Sequence, residues 1–91
     1  MGILNFISTL FKKEADSPYK ICVKTIKKMG YKRDHEGSFY KESSYGRTTI
    51  WITDAGIKIK VYANDYAESD FLPAPYPDAD TLRNFIRNNQ L

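Results

Sequence analysis

Over residues 48–63, hydrophobic and polar positions alternate almost without a break around one turn. Ile50 and Ile52 lead in, and Ile57, Ile59 and Val61 lead out. A period of two marks a strand with one face on a core, so the stretch predicts a β-hairpin. Its turn, "TDAG", admits two registers. A three-residue loop of Asp54, Ala55 and Gly56 sets Ile57 opposite Thr53 and sends the second group of isoleucines to the face of Trp51. A four-residue loop over 53–56, with Gly56 left-handed, pairs Ile52 with Ile57 and Ile50 with Ile59. One residue of slip exchanges the faces. Keeping the β-branched aliphatics together buries more apolar surface, so the four-residue loop is expected. Trp51 then lies opposite Lys58 and Thr49 opposite Lys60, away from the core.

Upstream the period is helical. In residues 3–11, Ile3, Phe6, Ile7 and Leu10 fall on one stripe, widened by Leu4 and Phe11, which predicts an amphipathic helix followed by the polar link "KKEAD". Ser17 and Pro18 then open a second helix as N-cap and first helical residue. Gly30 closes it by supplying a left-handed residue. Tyr19, Cys22, Val23, Ile26 and Met29 share one side of that helix, and Lys20, Lys24, Lys27 and Lys28 share another. After Gly30 the pattern predicts a short strand at "YKRD", a turn at "HEG", a longer strand at "SFYKES" and a turn at "SYG". Residues 64–77, with Pro73, Pro75 and Pro77 alternating, are expected to be a long irregular connection. Within it, at least one of Phe71, Leu72 and Tyr76 is expected to be buried as a clamp between the sheet and the last helix. That helix starts near Asp78 or Asp80 and carries an apolar stripe of Ala79, Leu82, Phe85 and Ile86.

These elements predict an α+β fold. Residues 1–17 form an N-terminal amphipathic helix and linker, and residues 18–91 form a small single domain. In it a three- or four-stranded antiparallel sheet has helices packed on one face. The α-β-β-β-α order over 18–91 resembles that of a double-stranded-RNA-binding domain in topology alone. Those domains carry lysines at the start of the last helix, where this chain has Asp78 and Asp80, so no phosphate contact is expected there.

The chain has 91 residues, enough for one domain with a modest core. Its 42% hydrophobic and 27% charged composition is that of a globular chain. The single cysteine, Cys22, rules out an intramolecular disulfide framework. With no signal-peptide pattern at the start, it points to a reducing, cytoplasmic location. The opening apolar run is too short to span a bilayer. The net charge is +3, with the basic excess in residues 1–46.

Little chemistry is written in the motifs. The single histidine, His35, falls in a turn with no relay, and Cys22 falls on an apolar helix side. One Cys and one His cannot make a zinc site. Asp65, Glu68 and Asp70 lack the glycine and ligand spacing of a calcium loop. No glycine-rich phosphate loop occurs. The expectation is therefore no enzyme, no cofactor and no metal, but a small binding module.

Three surfaces could carry binding. The sheet face with Trp51, Lys58, Lys60 and Tyr62 combines rings and cations, as a single-strand nucleic-acid platform does; its ordinary counterpart is a second packing layer. The stripe Lys20, Lys24, Lys27 and Lys28 is either a solvated helix side or a contact for phosphates or an acidic protein. The helix of Ile3, Phe6, Ile7 and Leu10 suits docking on the body, a partner or a second copy, since it has little cationic charge for a membrane surface. Protein–protein docking, as an inhibitor or adaptor, is the expected function, with nucleic-acid binding the alternative.

Overall fold

In the computed structural model, which describes residues 17–90, a helix precedes the sheet and a helix follows it. The stripe expected at residues 3–11 lies outside the described residues. The order is α1 (Pro18–Lys28), β1 (Lys32–Arg33), β2 (Phe39–Ser43), β3 (Gly46–Thr53), β4 (Gly56–Ala63), β5 (Tyr66–Pro73) and α2 (Ala79–Asn89). The five strands form one antiparallel meander in sequence order.

Both helices begin and end where their sequences dictate. Ser17 accepts a hydrogen bond from the Lys20 amide at 3.3 Å, and Pro18 follows at the first turn. Gly30, at φ +97°, turns the chain out of α1, where few side-chain-bearing residues settle. Lys41 reaches back to donate to the Met29 carbonyl at 3.0 Å. In α2, Asp78 accepts from the Thr81 amide at 2.9 Å. Asp80 in the first turn and Arg87 in the last suit the helix dipole.

The core is where the two periodicities meet. Cys22 and Ile26 from α1, and Leu82 and Ile86 from α2, cluster with Phe39, Ile50, Ile57 and Ile59 of the sheet. All four sheet residues stand on one side of it, so both helices cover that side. The register is the one that collects the isoleucines: Ile50 pairs with Ile59, Ile52 with Ile57 and Trp51 with Lys58. The turn itself is tight. Thr53 pairs with Gly56, leaving Asp54 and Ala55 as its two tip residues.

Two expectations need correcting. The sheet has five strands, not three or four, so the three-stranded order of the double-stranded-RNA-binding topology does not hold. The extra strand comes from the stretch expected to be irregular: residues 66–73 pair with β4 along their whole length. The period of two is masked there because β5 is an edge strand. Tyr66, Glu68 and Asp70 lie on the helix side yet remain exposed, and only Leu72 is half-buried. Nor do the prolines forbid it. Pro73 is the last strand residue, where a missing N–H costs little, and Pro75 and Pro77 fall beyond the strand. Leu72 and Tyr76 pack against the core, and Tyr76 donates its hydroxyl to the Thr53 carbonyl at 2.7 Å. Phe71 does not join that clamp; it stands exposed on the other side.

Candidate binding face

Because strand side chains alternate, collecting the isoleucines under the helices obliges the intervening residues to stand on the opposite face. The pairing places them in three rows across the sheet. The middle row holds Lys32, Tyr40, Thr49, Lys60 and Ser69. One flanking row holds Trp51, Lys58 and Phe71. The other holds Glu42, Arg47, Tyr62 and Ala67. Four cations thus share the face with a single carboxylate, Glu42. Strands β2 to β5 each contribute one ring: Tyr40, Trp51, Tyr62 and Phe71.

No described element lies over this face. Tyr62 and Phe71 are 42% and 45% exposed, and Trp51 is half-buried. Three of the cations rest on three of the rings. Arg47 lies 4.3 Å from the centroid of Tyr40, Lys60 lies 5.0 Å from that of Tyr62, and Lys58 lies 5.4 Å from that of Trp51. At the centre, Thr49 is only 6% exposed. At one end, where the β2–β3 and β4–β5 turns meet, the face runs into an open concavity of about 640 Å³ lined by Arg47, Tyr62, Asn64 and Tyr45. Tyr45, at the turn tip, is 74% exposed.

The sequence placed Trp51, Lys58, Lys60 and Tyr62 together, and the structure brings all four onto this face. It adds Lys32, Tyr40, Arg47 and Phe71. Arg47 could have been found by carrying the alternation back along β3, and Tyr40 by carrying it into β2, since Thr48 and Phe39 beside them point to the core side. Phe71 could not, because β5 is largely solvated on both sides and its sequence carries no period of two.

The lysine stripe is a separate surface. Lys20, Lys24, Lys27 and Lys28 are exposed on α1, in the helix layer on the far side of the sheet. The positions Ile3, Phe6, Ile7 and Leu10 lie outside the described residues. No protein-family model, curated protein or solved structure matches the chain.

The reactive residues are placed apart. Cys22 is wholly buried, and burial pushes its thiol up from the ordinary value. His35 stands in the β1–β2 turn with its side chain 91% exposed, 4.0 Å from the Glu36 carboxylate. Asp34 organises that turn, accepting from the Ser38 hydroxyl at 2.8 Å and from the Glu36 and Ser38 amides. The Ser38 hydroxyl first, and then those amides, hold its carboxyl below the usual range. Among the described residues, no three of His, Cys, Asp or Glu gather as a metal-ligand set. No buried side-chain nitrogen or oxygen among them lacks a hydrogen-bond partner. No helix among them is long and apolar enough to cross a membrane.

Proposed function

We propose that this chain is a non-catalytic binding module, that its working surface is the open face of the sheet, and that its ligand is a nucleic acid. The observation that carries this is the composition of the face. Lys32, Arg47, Lys58 and Lys60 stand among four rings with Glu42 as the only acid among the described strand positions of the face. The other strand carboxylates, Glu68 and Asp70, point to the helix side. Such a surface offers electrostatic attraction to a phosphate backbone together with platforms for planar groups. Protein docking, the function first expected from the sequence, is supported by the same rings but leaves the excess of cations without a role.

The two classes differ in how affinity responds to salt. Neutralising phosphates releases counterions, so log Kd for a single strand changes by about 0.7 per phosphate contacted for each tenfold change in salt. Three or four contacts give a slope of roughly 2 to 3. Binding of a labelled oligonucleotide, followed by fluorescence anisotropy from low to high salt, should show such a slope. The double variant Lys58→Gln, Lys60→Gln should flatten it. Absence of salt-sensitive binding to any nucleic acid, with a captured protein lost on mutation of Trp51, would return the face to protein docking.

A further inference from the structure

We infer that the open face takes single-stranded rather than duplex nucleic acid, exchanging its own cations for bases on the rings. This rests on the nucleic-acid function proposed above and specifies how the ligand is held.

Without ligand, the faces of Tyr40, Trp51 and Tyr62 are already occupied by Arg47, Lys58 and Lys60. A cation over an exposed ring shifts an equilibrium by only about two- to fivefold. A base stacked on the same ring contributes about five- to 150-fold. Exchange of cation for base is therefore favourable. The displaced ammonium or guanidinium, anchored on the ring's own strand or the one beside it, then meets the phosphate attached to that base. One movement serves both halves of a nucleotide.

The layout of the rings selects the single strand. At about 4.8 Å between strands and 3.4 Å per residue, Tyr40 and Trp51 are roughly 8 Å apart at the backbone. By the same spacings Trp51 and Phe71 are roughly 10 Å apart, and Tyr40 and Tyr62 roughly 12 Å apart. Rings spread singly over four strands can each take a separate, splayed base. A duplex keeps its base faces stacked inside and shows only edges in its grooves. A flat face about four strands wide does not enter a major groove of about 12 Å. Against a duplex the cations would find phosphates while the rings stayed idle. Stacking on rings and contact with phosphates use groups that RNA and DNA share, so the two kinds of strand are expected to bind alike.

The test uses the full chain and three fluorescein-labelled probes, oligo(dT), oligo(U) and a mixed-sequence duplex of equal length. Anisotropy gives the affinities, and intrinsic emission reports the only tryptophan, Trp51. Both single strands should bind within about threefold of each other and at least about tenfold tighter than the duplex. They should quench Trp51, and the duplex should not. Trp51→Ala should weaken single-strand binding by about five- to 150-fold while leaving duplex binding unchanged. Trp51→Phe, which keeps a ring, should restore most of the loss and controls for any effect on folding. Equal affinity for duplex and single strand, or single-strand binding untouched by Trp51→Ala, would overturn the exchange while leaving a phosphate-binding face standing. Lack of binding to all three probes would remove the nucleic-acid function itself.

Discussion

Trp51 shows how one residue can stand half-buried without belonging to the core. Its neighbours are Lys58 across the strand and Thr49 along it, and no described element covers it. Trp51→Ala should therefore cost about 1–2 kcal/mol, whereas Ile59→Ala, which opens a cavity under both helices, should cost about 2–5 kcal/mol. Urea unfolding of the two variants checks the ranking. A loss at Trp51 equal to that at Ile59 would place the ring in a packed layer. A second residue-scale consequence concerns alkaline pH. Tyr31 is 4% exposed and donates its hydroxyl to Gln90 at 2.9 Å, tying the segment after α1 to the end of α2. Burial raises its pKa from 10 to about 12, a shift that a hydrogen bond with Thr48 only partly opposes. The folded state thus favours the neutral phenol. Its contribution is intact below the unfolded value near 10 and is lost as pH climbs from there towards 12. Over that window the wild type should lose more stability than Tyr31→Phe, as read from denaturant midpoints.

At the scale of elements, Gly56 is a point of close approach between strands. It opens β4 at φ +145°, and a Cβ there would run into the carbonyl of Leu72 and the backbone of Pro73 on the neighbouring strand. Gly56→Ala should therefore destabilise by on the order of 2–4 kcal/mol, through both the φ and the collision. Thermal melting measures it. This residue also marks what the sequence could and could not disclose. The register of β3 and β4 was legible because one pairing buries five aliphatics together and the other scatters them, and Trp51 followed from it. Helix α1 was legible from Ser17, Pro18 and Gly30, which act within a few residues of themselves. Strand β5 was not. Its partner is β4 alone, its sides are largely solvated, and the burial that writes a period into other strands never acts on it. Part of the basic face was hidden for a related reason. Tyr40 and Phe71 become neighbours of Trp51 only through pairing between strands, whereas Arg47 follows from the period of β3 itself.

For the whole molecule, the charge is organised by face and not by chain half. Arg47, Lys58 and Lys60 come from the half with the smaller basic share, yet join Lys32 on one surface. The cations and rings of that surface and the clustered core residues beneath it all fall within residues 17–90. A chain beginning at Asp16 should consequently unfold in one cooperative transition and keep its near-ultraviolet circular dichroism. A molten spectrum would make the preceding residues part of the fold. The meander also has a property that concerns its tolerance of length. Strands β3, β4 and β5 have eight residues each, and the tips between β2 and β5 have two, so residues twenty apart, such as Tyr40 and Lys60, sit at the same height two strands away. There is no slack in such a ladder. Removing one tip residue must draw a strand along by one position and turn its isoleucines outward, while adding residues only lengthens a loop. The chain can grow at its tips but cannot shrink there. The tip at Asp54 and Ala55, at the opposite end from Tyr45 and Asn64, is where growth would leave the concavity beside Arg47 and Tyr62 undisturbed.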